Sequence, residues 1–565
     1  MRSPLALLAR TLPRACDDGH QPRAVGSRPA GCRPDGQDFP AMAVELVWEA
    51  PGEGDWWLVR EHFPNTVSRM FSSLFPAVTL GWEKGGARYG LPTGQAQWAS
   101  VNGWIYYGTE IPLTADDLAG RERAAAATLA AAPWRDEVRR WHDEGRPRAV
   151  DANRRLQSDG PENLDDTRLG EHFEETLANF LRWAPLHFEH VGFDIVAGLF
   201  LGAAADWGVE PAALTGLLAG ASPASSAADA HVRAIADALD RAASPVPVAS
   251  IADLRAVSGA AAPLDAYLED YGWRLMVGQD LVEPTLREQP ALLVATVNAR
   301  RGGRDEAPRD LSPGIRAALA PTKQARFDAL LGDARASYAL RDDDNGVCWN
   351  WPLGLVRRAG LEIGRRLAAR GVVADPRHVF EAGADEAPTL LSGPRPSAAE
   401  LARRWRERAR ASAEEPPQHL DGGGERLARP SLPPAVARLS AVRDAVWSVA
   451  PPRAGAPPLS GIGIGHDKVV GAARVVRRPE DLARLVEGDV LVAVATTAAF
   501  NTVLPLVSAV VTEQGGVFSH AAVLCRELGL PAVVGVAELL DRIGDGDLVE
   551  VDPLAGTVRL LAYGG

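Results

Sequence analysis

The run Thr512-Glu513-Gln514-Gly515-Gly516-Val517-Phe518-Ser519-His520-Ala521-Ala522 sets a histidine just beyond a Gly-Gly turn, and the turn follows the apolar stretch Ala509–Thr512. A buried strand, a tight turn and an amphipathic helix in that order put His520 on the first turn of the helix. The N–H groups there have no internal partner, and the helix dipole adds partial positive charge. A phosphoryl dianion on the imidazole is stabilised in such a place without a nearby lysine. Glycines at 515 and 516 let the backbone turn tightly and approach the anion. A histidine so placed works as a nucleophile, accepting a phosphoryl group and passing it on. Thr512, Gly515, Gly516 and Ser519 then shape the anion pocket, and each also suits a plain turn and helix cap. The Ser519-His520 pair alone favours the plainer reading, a satisfied histidine at the start of an ordinary αβ unit.

The longer string reverses that preference. Thr512–Pro531 resembles the phosphohistidine motif of the swivelling domain in phosphoenolpyruvate-utilising enzymes, a family that includes pyruvate phosphate dikinase, phosphoenolpyruvate synthase and rifampin phosphotransferase. The pattern is Thr-x-x-Gly-Gly-x-x-Ser/Thr-His-x-Ala-x-x-x-Arg-Glu-x-Gly-x-Pro, and every fixed position is present. Phe518 stands where dikinases commonly carry threonine, which puts one hydroxyl contact to the phosphate in doubt. Thr496-Thr497 stands where the family keeps a threonine close to the histidine loop. Arg526, six residues after His520, points away from it around the helix axis, which suits a structural salt bridge at least as well as a phosphate contact.

The elements that must position His520 follow from the pattern around it. From Gly461 onward, strands at Val475-Val476, Val490–Val494, Ala509–Thr512 and Ala532–Val536 alternate with helical pieces at Pro479–Val486 and after His520. A hairpin closes the chain, with Asp545–Val551 and Thr557–Leu561 flanking Asp552–Gly556. Residues 459–565 are therefore read as a compact α/β mobile domain of ordinary size. Residues 412–458, rich in Pro and Gly with a helical piece at Ala435–Val446, read as a flexible linker on which that domain travels. Residues 42–411 read as a large, mainly helical domain that opens with a β-rich stretch around Trp56–Pro64 and Val101–Tyr107. Residues 1–41 lack periodicity and read as a disordered tail or a start called too early, with Met42 as the true start. The fold class is α+β multidomain: a helical substrate-binding domain followed by a C-terminal α/β swivelling phosphohistidine domain.

In the helical part, Tyr271-Gly272-Trp273-Arg274, Glu283-Pro284 and Leu286-Arg287-Glu288-Gln289-Pro290 resemble a stretch of the rifampin phosphotransferase substrate domain. Trp273 replaces the family histidine, and Gln289 its aspartate. Arg341, Arg357–Leu367 and Val379-Phe380 resemble the later helices of that domain. The resemblance implies that Glu288 deprotonates an acceptor hydroxyl and Arg287 steadies the transferred group, with Arg274 and Glu283 as further contacts. A surface ion pair is the alternative for Arg287-Glu288. Trp48, Trp56, Trp57, Trp82, Trp98 and Trp104 crowd into one span with Tyr89, Tyr106 and Tyr107. They serve a core more readily than a pocket for a planar acceptor. His187 and His190, an i,i+3 pair, have no matching carboxylate set in the sequence, so no metal site is expected.

Members of the family add an ATP-grasp domain that charges the histidine. Its Gly-Gly-Lys-Gly-type segment is not found here, and the only lysines in the chain are Lys84, Lys323 and Lys468. The expected function is that of a phosphotransferase component. It would take its phosphoryl group from a separate ATP-grasp protein, with ATP and Mg²⁺ bound there and no cofactor held by this chain, and pass it to a small-molecule hydroxyl. The alternative is a catalytically inactive small-molecule binding protein derived from the same family. A net charge of -13 argues against nucleic acid and anionic membranes as partners. No apolar run is read as spanning a bilayer. Four cysteines, Cys16, Cys32, Cys348 and Cys525, lack ligand-like spacing, and a reducing cytoplasm fits them.

Overall fold

Apolar residues at helical spacing build the larger part of the chain, and strands buried on both faces build the smaller. The computed structural model describes residues 46–563, except 61, 112, 210, 243–246, 276–279, 303–309, 394–395, 425–430, 448–458, 478, 497–499 and 501–502. The expectation for residues 1–41 lies outside these, as do Thr497, Cys16 and Cys32.

The helical region is centred on α1 (Arg69–Tyr89), which packs along α3 (Asp166–Glu189), with α2 (Ala115–Ala131) beside them. Ser68 caps α1, and Gly90 ends it in the left-handed conformation at φ 84°. Pro185 interrupts the last turns of α3, and α4 (Gly192–Gly202) begins after a short break at His190-Val191. Asp166–Trp207 is apolar and long enough to cross a membrane by length and composition, which departs from the sequence expectation. In this fold it is three successive helices, α3, α4 and the short Ala204–Trp207, with 61% of its most apolar window buried. Further along come α5 (Pro223–Arg241), α6 (Ala261–Tyr271), α7 (Pro290–Ala299), α8 (Pro321–Asp344) and α9 (Trp351–Ala369).

A four-stranded antiparallel sheet borders this region in the order β2 (Gln95–Val101), β3 (Trp104–Ile111), β1 (Asp55–Leu58), β4 (His419–Asp421). The β-rich opening is thus confirmed, but the strand at Trp56 stops at Leu58. Trp56, Trp104, Tyr89 and Tyr106 are core residues, whereas Trp57 and Trp82 are exposed.

The connector at 412–458 needs a partial correction. β4 is an edge strand pairing with β1, and α10 (Pro434–Trp447) packs on α4 and α2. Both pieces find apolar partners on the helical region, with Leu420 and Val436 almost fully buried. Residues 425–430 and 448–458 of the expected connector lie outside the described residues.

The C-terminal region is an eight-stranded sheet in the order β5 (Leu459–Ser460), β12 (Thr557–Ala562), β11 (Leu548–Asp552), β7 (Val469–Val476), β8 (Val490–Ala493), β9 (Ala509–Thr512), β10 (Ala532–Val534), β6 (Ile462–Ile464). The strands β7 to β10 run parallel. Every residue of β8, β9 and β10 is buried, as expected of parallel strands covered on both faces. The expected hairpin is β11–β12, in register from Val551↔Val558 to Asp552↔Thr557. α11 (His520–Leu528) follows β9, so His520 sits beyond the C-terminal ends of the parallel strands, where α/β sheets bind ligands.

One apolar core crosses from the helical region into this sheet. Val232, Leu239, Leu264, Leu293 and Val297 pack with Leu485, Phe500, Leu504, Leu524 and Cys525. The two regions are therefore docked in this structure.

Candidate active site around His520

Two chain segments meet at His520. Beyond β8 and β9 the pairing continues, with Glu513 N–H donating to Ala493 O at 3.0 Å and Gln514 N–H to Val494 O at 2.8 Å. This holds the loop carrying Thr496 against the loop carrying the histidine. Thr496 Oγ1 lies 3.1 Å from His520 Nδ1. Thr496 is buried, so water competes poorly for that contact.

The turn has the backbone that the glycines predict. Gly515 adopts φ 126°, which L side chains rarely adopt, and a Cβ there would lie 2.8 Å from Ser519 Oγ. Ser519 is the cap of α11, its Oγ accepting the Ala522 N–H at 3.4 Å. Thr512 is fully buried, and its Oγ1 has no partner among the described residues. That hydroxyl lies 3.7 Å from the position a Cβ on Gly515 would take, so the turn carries an unused hydrogen-bonding group on its inner side. Of the residues singled out in the motif, Thr512, Gly515, Ser519 and His520 thus share one small region, joined by Thr496.

Burial pushes the His520 imidazole down to about 4, so it is neutral near pH 7. In the tautomer with Nδ1–H donating to Thr496 Oγ1, Nε2 keeps its lone pair. That nitrogen is then able to act as a base or nucleophile.

Phe518 does what a threonine could not. Its ring meets Phe193 of α4 edge-on, with centroids 5.3 Å apart. Arg341 of α8 lies over the other partner, 5.2 Å from the Phe193 ring, and donates to Asp194 at 2.5 Å. The turn before His520 is thereby seated on the helical region by an aromatic contact.

The four residues placed on the acceptor side are not gathered at His520. Glu288 accepts two bonds from Arg357, at 2.8 and 2.7 Å, and closes a capping box with Thr285. These bonds hold its carboxyl below the ordinary range despite burial. Arg287 lies over the Trp273 ring at 5.0 Å and donates to Leu268 O. It also lines a cavity of about 270 Å³ with Ile251, Arg255 and Leu268. Arg274 lies over Tyr271 at 4.4 Å, and Glu283 is buried. Arg526 makes no ion pair among the described residues.

Two features had no sequence signal of their own. Asp344, fully buried, receives His187 Nδ1 at 2.8 Å and His190 Nδ1 at 2.5 Å. Beside them Tyr89 donates to buried Glu137 at 2.5 Å, and Glu137 faces the backbone N–H of Gly192. This network fixes the start of α4 just before Phe193. Among the described residues no group of three His, Cys, Asp or Glu side chains is arranged to hold a metal ion.

Residues 485–556 match the PEP-utilising enzyme mobile domain. The chain is 31% identical over 328 residues to chondramide synthase cmdD of Chondromyces crocatus, a match covering 53% of this chain and 8% of that one. It is 30% identical over 316 residues to a rifampicin phosphotransferase of a Streptomyces species, covering 53% of this chain and 34% of that one. The uncharacterized phosphotransferase YvkC of Bacillus subtilis is 24% identical over 308 residues, with 52% and 36% covered. The matches to these relatives thus span roughly a third of their length or less.

Proposed function

We propose that this chain, whose residues 485–556 match the PEP-utilising enzyme mobile domain, carries a phosphoryl group on His520 Nε2 and delivers it to a small-molecule hydroxyl. The observation that carries this is the pairing of Thr496 with His520 Nδ1 at 3.1 Å, which leaves Nε2 to react at the start of a helix.

In the first half-reaction the Nε2 lone pair attacks phosphorus and the bond from phosphorus to the donor oxygen breaks. In the second, the acceptor oxygen attacks, the P–Nε2 bond breaks with its electron pair returning to nitrogen, and a base takes the hydroxyl proton. The donor is assigned to an ATP-grasp protein, which would bind ATP and Mg²⁺ and neutralise charge on the phosphates. This chain's own residues orient the imidazole and offer the N-terminal N–H groups of α11 to the dianion. The acceptor is assigned to the helical region, on which the phosphohistidine turn is seated through Phe518 and Phe193. A cytoplasmic location fits this chemistry, since ATP is available there.

The test is labelling with β-³²P-ATP and Mg²⁺, with and without a lysate of the source cells, followed by intact mass and acid lability. An acid-labile, base-stable phosphate that disappears in His520→Ala supports the reading. Label that persists in His520→Ala, or no label in either tube, overturns it and leaves the binding-protein alternative.

A further inference from the structure

Glu527 belongs to the motif of α11 but takes no part in the chemistry above. It sits in the last turn of the helix, one residue before its end, seven residues and about 10 Å along the axis from His520. Its carboxylate crosses to the helical region. Oε2 accepts the Gly220 N–H at 2.8 Å, and the N–H groups of Ala221 and Ser222 also face it. Gly220 is left-handed at φ 76°, which bends these successive N–H groups into a concave nest. The nest immediately precedes α5, a helix of 19 residues whose positive end it forms. Ser222 keeps the turn in place by donating to Asp342 of α8 at 2.5 Å.

Two further contacts on and beside α11 lead along the helix to this point. Phe518, just before the helix, meets Phe193. Val523, in its middle, packs with Phe193, Tyr338 and Val446. Glu527 closes the far end. A rigid helix held at both ends has its direction fixed, and its first residue is His520.

We propose that Glu527 is a positioning residue: by capping the start of α5 it latches α11, and with it His520, in register on the helical region. The proposal rests on His520 being the phosphoryl carrier only for its consequence; the latch itself is a property of the docked fold.

The latch has an unusual sign. Glu527 Oε1 is buried with no partner among the described residues. Tyr338 and Asp342 face it from α8, Arg526 from its own helix, and backbone N–H groups from the 220–222 turn. Burial, with Asp342 adding to it, pushes the carboxyl up to about 7. Undocked, the same group titrates near the ordinary glutamate value of about 4.3. The docked form therefore binds the proton more tightly. Docking is strongest at acid pH and weakens as pH rises between about 4.3 and about 7.

The experiment is hydrogen–deuterium exchange of the Gly220, Ala221 and Ser222 amides in the full chain at several pD values, corrected for intrinsic rates. Wild type, Glu527→Gln and Glu527→Ala are compared, each first shown to melt cooperatively. In wild type, protection should fall as pD rises through the neutral range. Glu527→Gln keeps an acceptor oxygen and should stay protected with no such dependence. Glu527→Ala should lose about 10-fold in protection at acid pD, the equivalent of one hydrogen bond to a buried group. Unchanged protection in Glu527→Ala, or the same pD profile in wild type and Glu527→Gln, overturns the latch. His520→Ala should exchange like wild type. A failure to label His520 would therefore sink the phosphotransferase reading and leave this result standing.

Discussion

Thr496 Oγ1 lies 3.1 Å from His520 Nδ1, across a gap of 24 residues. The contact ties one ring nitrogen to the loop after β8 and leaves the other for the proposed phosphoryl transfer. Thr496→Val keeps the volume and removes the hydroxyl. Phosphate incorporation should fall about 5-fold, the worth of one hydrogen bond of about 1 kcal/mol. Thr496→Ser should restore most of the rate. Single-turnover labelling of the three proteins checks this, and an unaltered rate in Thr496→Val would show that the tautomer is set elsewhere.

The low pKa of His520 gives a pH prediction. Burial holds it at about 4, so the neutral imidazole that the proposed transfer requires is fully present near pH 7 and is lost only as pH falls through about 4. Labelling at saturating donor should therefore be flat, on the His520 side, from pH 8 to about pH 5.5. Stability follows the same linkage. The unfolded imidazole, with a pKa near 6.5, binds a proton that the folded one refuses, so this residue costs stability as pH drops from about 6.5 to about 4. An NMR titration of the His520 ring is the direct measurement. A midpoint near 6.5 would contradict the enclosure seen here.

Gly515 tests the turn. Alanine there would strain a backbone at φ 126° and press its Cβ to 2.8 Å from Ser519 Oγ. A left-handed residue other than glycine costs about 1–2 kcal/mol. Gly515→Ala should thus lower the unfolding temperature and slow labelling together, whereas Ser519→Ala should lose only a helix cap of about 1 kcal/mol. Thermal unfolding beside labelling rates separates the two.

The motif around His520 was readable because each part acts on its near neighbours. A Gly-Gly turn, a capping serine and a helix start are local devices, and β9 was placed to the residue, at Ala509–Thr512. Strands β8 and β10 were read one and two residues too long, because pairing rather than propensity ends them. Other features were closed to sequence reading because their partners are distant. His187 and His190 looked unsupported until α8 brought Asp344 to both, from the end of the run Arg341-Asp342-Asp343-Asp344. Glu527 binds backbone N–H groups, which have no residue signature. His419–Asp421 is a strand only because β1 offers it an edge.

Glu288 is where the resemblance and the geometry pull apart, and it can be tested. The family stretch implies a proton acceptor, yet both carboxylate oxygens are engaged by Arg357, which is itself almost wholly buried. Removing one partner of such a pair leaves a buried charge uncompensated and costs about 3–5 kcal/mol. Glu288→Ala should therefore unfold at a markedly lower temperature or denaturant concentration, and Glu288→Gln should recover part of that loss. A base acting on the acceptor would give a different signature: normal stability in both variants, full labelling of His520, and no transfer onward. Denaturant unfolding and labelling of His520 in the same two variants decide between them. The bonds around Glu288 favour the structural outcome, in which stability falls and His520 still takes up phosphate in whatever fraction remains folded.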